Sequence, residues 1–189
     1  MSEASDFGTF GRFVETPVDQ MDPAMKQAYE FTRELRGLVP GPHRIWLANP
    51  ALSMTIAPTG AYFQRRSTLS KAEIEIATLV VTAQWRSAYA TYEHEIIAER
   101  AARLGPRRVE ALISGLPVSF DDPREQVVYE LASALVAPRV VPTGLYRRAR
   151  DLLGDAGIVD VAVLLGWFTM VCMTLAAFDV PANAGGLDQ

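Results

Sequence analysis

Cysteine and histidine are scarce in this sequence of 189 residues, which contains one cysteine, Cys172, and two histidines, His43 and His94. One cysteine cannot form an intramolecular disulfide, and a thiol–disulfide mechanism needs two thiols within bonding reach. Two histidines far apart in the chain exclude a histidine-rich metal site, so we expect neither a metal nor another cofactor. A chain without a disulfide framework is typical of a reducing compartment, which predicts a cytoplasmic protein.

Basic residues are fewer than acidic ones. The sequence has 18 Lys and Arg residues and 22 Asp and Glu residues, which gives a net charge of −4. A nucleic-acid-binding domain needs a concentrated basic face. The one basic cluster, Arg147, Arg148 and Arg150, fits a solvated helix face, so we expect no nucleic-acid partner. The first ten residues, MSEASDFGTF, lack a basic region followed by an apolar run, and we therefore expect no secretory signal.

Sustained strand patterns, glycine-rich phosphate loops and a G-x-S-x-G elbow are missing too. Helix start signals recur instead: Asp22-Pro23, Asn49-Pro50 and Asp122-Pro123 each place a capping residue before a proline at the first helical position. These signals predict an all-α fold, and the length suits a single domain. Residues 1–20 are polar and without period, so we expect a flexible N-terminal arm there and a domain over residues 21–183.

The most apolar run without a charge, residues 161–178, reaches the lower limit for a transmembrane helix. Asp160 and Asp179 bracket this run, and no Lys or Arg anchors either end. A helix that is apolar on all sides is otherwise buried in a core or at a subunit interface. We therefore expect a central helix that takes part in subunit contact, and no membrane partner.

The residues best suited to catalysis lie in the stretch 69–105. Ser70 and Glu73 have the spacing of a capping box, which starts a helix. We expect this stretch to end at Gly105, a glycine suited to the left-handed conformation after a helix. If the helix breaks near residues 84–87, Ser87 is suited to cap a second, antiparallel helix.

Such a break would bring Glu75 and His94 together. The two residues are 19 positions apart, roughly 28 Å along one continuous helix, so they can touch only across a hairpin. An imidazole held by a buried carboxylate can act as a general acid or base. The alternative is a core histidine that does no more than satisfy its hydrogen bonds.

Several motifs carry a resemblance to a known family: L-S-x-x-E-x-E (69–75), W-x-x-x-Y (85–89), H-E-x-x-A (94–98) and P-H-R-x-W-x-x-N-P (42–50). With these motifs, about residues 20–183 resemble the carboxymuconolactone decarboxylase family, which includes the alkyl hydroperoxidase D-like proteins. The resemblance implies an all-helical subunit of the alkyl hydroperoxidase D-like type that assembles as a homotrimer or a homohexamer.

In the peroxidase branch of that family, a Glu, a C-x-x-C pair and a His form a proton relay. The resemblance places this Glu at Glu75 and the His at His94, with Ser87 and Ala90 at the two cysteine positions. Because both thiols are missing, we expect no thiol peroxidase activity. The decarboxylase branch, which acts in aromatic catabolism, fits better and implies a cofactor-free lyase for a small carboxylated lactone or β-keto acid.

In this interpretation His94 is the acid or base, and Glu75 sets its tautomer and charge. Small side chains leave room for the substrate, aromatic side chains line the pocket, and a cation binds the carboxylate of the substrate. The candidate substrate-binding residues are Trp85, Arg86, Ser87, Tyr89, Ala90, His43 and Arg44. For His43 the alternative is a residue that caps a turn. A second hypothesis is a non-catalytic oligomeric binding protein that has kept the fold and lost the chemistry.

Overall fold

The computed structural model of the protein describes residues 8–137 and 139–187. Within these residues the regular structure is helical, apart from an isolated bridge between Phe10 and Phe13. The predicted all-α fold is therefore confirmed. The chain divides into two compact units, one within Met1–Arg66 and Met173–Gln189, the other formed by Ser67–Cys172.

The first unit contains the helices α1 (Pro23–Arg36), α2 (Gly41–Trp46) and α3 (Pro50–Arg65). The predicted caps are confirmed, because Asp22 accepts a hydrogen bond from the Met25 N–H at 2.8 Å and Asn49 accepts one from the Leu52 N–H at 3.2 Å. Helix α3 packs against both α1 and α2. It tolerates Pro58 in its interior, although a proline removes one helical hydrogen bond.

Residues 8–20 are packed in the first unit, which differs from the predicted flexible arm. Phe10 is fully buried, and the Arg12 N–H donates to the Phe178 carbonyl at 2.6 Å. A short 3-10 helix follows at Val18–Gln20. The aromatic side chains of this segment supply the apolar surface that holds it in place. Residues 1–7 lie outside the described residues, and the outer limits of the predicted domain stay a prediction.

The second unit contains α4 (Lys71–Trp85), α5 (Ala88–Arg100), α6 (Pro106–Ile113), α7 (Pro123–Val136) and most of α8 (Thr143–Ala177). Helix α4 packs against α5, α6 and α7. The predicted capping box is present, with Ser70 and Glu73 bonded to each other's backbone N–H. Glu73 also accepts a hydrogen bond from Arg124 Nε at 2.7 Å, which ties α7 to the start of α4.

The prediction that Gly105 forms the left-handed C-terminal cap is wrong. Helix α5 ends at Arg100, and the left-handed residue after it is Arg103, with φ 59°. The Leu104 N–H then closes the helix end on the Ala98 carbonyl at 2.9 Å. Gly105 is extended and precedes the first residue of α6, so this glycine begins a helix instead of ending one.

Helix α8 breaks at Gly154, whose φ of 68° and ψ of 175° separate a polar first part from an apolar second part. By length and composition α8 passes as a membrane span, with a mean hydropathy of 2.1 over an 18-residue window, half of it buried. The core helix of a soluble protein meets the same criteria, so this is weak evidence for a membrane. The absence of a membrane partner stays a prediction.

Candidate acid–base site

The hairpin between α4 and α5 confirms the predicted break near residues 84–87. Helix α4 ends at Trp85, Arg86 adopts the left-handed conformation with φ 50°, and Ser87 is extended before Ala88 begins α5. The turn needs one left-handed residue, and here an arginine adopts it, so neither glycine nor proline marks the break. Ser87 holds the N-cap position, but its side chain makes no capping hydrogen bond.

The hairpin brings Glu75 and His94 into contact, as predicted. Glu75 Oε2 lies 2.6 Å from His94 Nδ1, a short distance typical of a charge-assisted hydrogen bond. The Glu75 side chain is 1% exposed and the His94 side chain 19% exposed. Among the described residues His94 Nε2 makes no hydrogen bond, so this second ring nitrogen is the one that can meet a substrate.

Lys71 completes the immediate surroundings of Glu75. Its Nζ lies 2.9 Å from Glu75 Oε1, one helical turn earlier on α4. Burial raises the pKa of Glu75, but the charge and hydrogen bond of His94, together with those of Lys71, outweigh burial and lower the pKa. Glu75 is therefore a carboxylate at neutral pH. It accepts the hydrogen bond from Nδ1–H of His94, and the four-residue spacing of Lys71 was the available sequence signal.

Helix α8 supplies another side of the site through Phe168 and Cys172. The Phe168 ring meets the imidazole of His94 edge to face, with centroids 4.8 Å apart. The Cys172 thiol is buried and lies near Ser87. Burial raises the pKa of this thiol to about 11, and the polar Ser87 side chain only partly opposes the shift. The single cysteine therefore lies beside the site but is protonated at neutral pH.

The remaining candidates of the second unit differ in exposure. Trp85 and Arg86 are exposed at the turn, whereas Tyr89 and Ala90 are buried on the first turn of α5. Arg86 is thus the candidate cation in the same unit as the acid–base pair. Contact of any of these residues with a substrate stays a prediction.

His43 and Arg44 belong to the first unit. His43 is 1% exposed, and its ring lies edge to face against Trp46 with centroids 4.7 Å apart. Arg44 Nη1 donates to Glu15 Oε1 at 3.0 Å, so an internal carboxylate already neutralises its charge. The structure does not place these two residues in the compact unit of Glu75 and His94, and their role in substrate binding stays a prediction.

The potential metal ligands of residues 8–137 and 139–187 are dispersed over the chain. Within these ranges no three His, Cys, Asp or Glu side chains are grouped so that they could hold a metal ion. The carboxylates near the site are engaged by protein groups instead: Glu75 by His94 and Lys71, and Glu73 by Arg124.

Solved structures with the same fold include a peroxidase-related protein and a debrominase. An uncharacterized peroxidase-related protein from Silicibacter sp. TM1040 matches 96% of this chain and 95% of its own, with 21% identity and a TM-score of 0.73. The debrominase Bmp8 matches 86% of this chain and 87% of its own, with 13% identity and a TM-score of 0.67. A cysteine-to-alanine variant of Bmp8 in complex with 2,3,4-tribromopyrrole matches equally well.

No family model matches the chain, and no curated protein matches it. At 13% and 21% identity the structural likeness shows the fold alone, which is the all-helical fold of the alkyl hydroperoxidase D-like type. The predicted fold is thus confirmed, and the predicted oligomer stays a prediction.

Proposed function

We propose that the chain is a cofactor-free enzyme of the lyase type that decarboxylates a small carboxylated lactone or β-keto acid. The observation that supports this proposal is the 2.6 Å contact between a buried Glu75 carboxylate and His94 Nδ1. The contact leaves Nε2 of a partly exposed imidazole available to a substrate. General acid–base catalysis by such a group contributes about 10² to 10⁴ in rate.

The proposed step transfers one proton to the substrate and involves no oxidation or reduction. The bond between the substrate carbon and its carboxylate breaks, CO₂ leaves, and the electron pair stays on the carbon as an enolate. The protonated imidazole of His94 delivers its Nε2 proton to that carbon and becomes neutral, with Nδ1–H still bonded to Glu75. A proton from water restores the imidazolium, which stays bonded to Glu75 through Nδ1–H.

Substrate binding in this proposal uses the turn between α4 and α5. Arg86 is exposed there and can pair with the substrate carboxylate. The small Ser87 and Ala90 leave room beside His94. Thiol chemistry is not part of the proposal, because these two residues stand where the family resemblance implies cysteines.

The debrominase Bmp8 supports an enzymatic role in a general way, since it is an enzyme with this fold. Its bromopyrrole ligand is a property of that protein. A second candidate function is the non-catalytic oligomeric binding protein. In its favour, the first unit contains a cavity lined by residues such as Met25 and Val18.

Release of CO₂ by the purified protein distinguishes these two functions. We expect release from one or more carboxylated lactones or β-keto acids, lost in the variant His94→Gln and kept in the variant Glu99→Gln. Glu99 is an exposed carboxylate on the same helix and serves as the matched control. Saturable binding of such acids without CO₂ release would favour the binding protein.

A homo-oligomer, a trimer or a hexamer, is also proposed, and an apolar stripe on α8 supports it. Ala156, Val159, Ala162, Val163 and Gly166 are all exposed and share one helix face. Exposed apolar stripes of this kind are typical of subunit interfaces. We expect light scattering to show three or six chains per particle, and a monomer at micromolar concentration would contradict the proposal. The cytoplasmic location stays a prediction.

A further inference from the structure

Two packed helices of the first unit end in arginine. Arg36 is the last residue of α1 and Arg65 is the last residue of α3, and α1 packs against α3. The two guanidinium groups influence each other: burial and then the charge of Arg65 lower the pKa of Arg36 to about 10. Both groups still carry their positive charge at neutral pH, so two like charges lie at one end of the helix pair.

Arg36 also has unused hydrogen-bond donors. Its Nε and Nη1 atoms are buried and have no hydrogen-bond partner among residues 8–137 and 139–187. Neither Arg36 nor Arg65 forms an ion pair with a carboxylate in those ranges. A buried charged donor without an acceptor is costly, and such a group in a folded protein commonly marks the place of an ion or a ligand.

Arg44 of the same unit differs from Arg36, because its guanidinium group has hydrogen-bond acceptors within the chain. Its Nη1 atom donates to Glu15 Oε1 at 3.0 Å and also lies 3.4 Å from the Gly185 carbonyl. Arg44 therefore has an internal counter-ion, whereas Arg36 lacks one in the described parts of the chain.

His43 lies near Arg36 and adds no charge of its own. Burial, followed by the charge of Arg36, lowers the pKa of His43 to about 3, so its imidazole is neutral at neutral pH. The positive charge near His43 thus comes from arginine side chains and not from the imidazole itself. A neutral imidazole beside them neither repels an anion nor replaces it.

We propose that Arg36 and Arg65 form a binding site for a small oxyanion of the carboxylate or phosphate class. Guanidinium groups recognise the planar or tetrahedral oxygens of such anions with several N–H donors at once. The site uses none of the residues assigned to the acid–base chemistry, so it stands or falls independently of the proposed function.

Calorimetric titration of the full chain with phosphate and with acetate tests the site, with chloride as the reference at constant ionic strength. We expect saturable binding of one or both oxyanions with a Kd below about 1 mM. The variant Arg36→Met should weaken that binding by about tenfold or more. The variant Arg65→Met removes an exposed side chain, does not threaten the fold, and should weaken binding as well.

Arg66→Met is the matched control, because Arg66 is the next residue in the chain and is also exposed. Its Kd should stay within about twofold of the unaltered chain. The two histidines provide a second readout, since His43 near Arg36 should shift its imidazole NMR signals on titration while His94 should not. Absence of saturation beyond chloride, or equal weakening in the Arg66→Met control, would overturn the proposal.

Discussion

The two histidines of the chain lie in different units and have opposite surroundings. His94 bonds through Nδ1 to a buried carboxylate and keeps its second nitrogen partly exposed. His43 is almost completely buried, lies against Trp46, and has the cation of Arg36 as its electrostatic neighbour. The same side chain is therefore equipped for proton transfer in one region and held neutral in the other.

This difference shows that the neighbours of an imidazole decide what it can do. A carboxylate stabilises the charged form and fixes the tautomer, which makes repeated protonation and deprotonation possible. Burial beside a cation removes the charged form from the accessible pH range. We propose that His94 carries the chemistry and that His43 serves packing, and each assignment has consequences that can be measured.

The largest expected effect is loss of turnover when the His94 pair is broken. His94→Gln should lower kcat/KM for a decarboxylated substrate by about 10² to 10⁴, because the proton donor is gone. Glu75→Gln keeps the shape but removes the charge, so we expect a smaller or similar loss. Since the two residues act as one unit, the double variant should be hardly slower than His94→Gln alone.

The control for this series is Glu99→Gln, which changes an exposed carboxylate of α5 without touching the pair. Far-ultraviolet circular dichroism and urea unfolding should show that all the variants keep the fold. Additive losses in the double variant would mean that Glu75 and His94 work separately, and the comparison of the two histidines would lose its basis.

The second prediction concerns His43 and acid stability. With a folded-state pKa of about 3 against the usual 6.5, His43 excludes a proton that the unfolded chain takes up. The contribution to stability is therefore full above pH 6.5 and falls as the pH drops towards 3, by about 1.4 kcal/mol per pH unit. His43→Gln, which cannot take up this proton, should lack that loss.

Urea unfolding at pH 7 and pH 5 measures this effect. Between those values the free energy of unfolding of the unaltered chain should drop by about 2 kcal/mol more than that of His43→Gln. Parallel pH profiles for the two proteins would show that His43 takes up its proton at no cost, which would remove the difference between the two histidines.

Much of this architecture was predictable, because local signals fix helix ends. Asp22 and Asn49 cap the helices that they were predicted to cap, and Ser70 forms its capping box with Glu73. The contact between Glu75 and His94 followed from their spacing once a hairpin was assumed. The prediction that Gly105 is the left-handed cap was wrong, because Arg103 adopts this conformation, which non-glycine residues rarely do.

The contacts that sequence analysis missed join residues far apart in the chain. Arg124 reaches Glu73 across 51 positions, and Asp160 accepts hydrogen bonds from Ser67 and Thr68 across more than 90. Periodicity and capping patterns report on neighbours within a few residues, so they carry no information about such pairs. The packing of residues 8–20 was missed for the same reason, since the Arg12 N–H bonds to the Phe178 carbonyl and the Phe13 ring lies against the Phe178 ring.

The third prediction sharpens the assignment by comparing Glu73 with Glu75, two buried carboxylates on one helix. Glu73 bonds to the Ser70 N–H and to Arg124, so its role is structural. Glu73→Gln should lower the free energy of unfolding by about 1–2 kcal/mol, less than for a fully buried pair because water also solvates Arg124, which is 39% exposed. Turnover of the folded fraction should stay within about threefold.

Urea unfolding and steady-state kinetics on the same preparation separate the two carboxylates. Glu73→Gln should change stability and spare turnover, whereas Glu75→Gln should change turnover much more. A hundredfold loss of turnover in Glu73→Gln at unchanged stability would place Glu73 in the chemistry and undo the distinction.

The smallest expected effect is that of Cys172→Ser, the substitution of the one thiol beside the site. A thiol with a pKa of about 11 is ionised at pH 7 to only on the order of 10⁻⁴, which makes it a poor nucleophile. Serine can still accept or donate a hydrogen bond to Ser87, so we expect turnover to stay within about threefold. The measurement is kcat/KM alongside a urea unfolding curve. A hundredfold loss of activity with the fold intact would contradict the acid–base mechanism. It would favour sulfur chemistry at Cys172, with His94 in a supporting role.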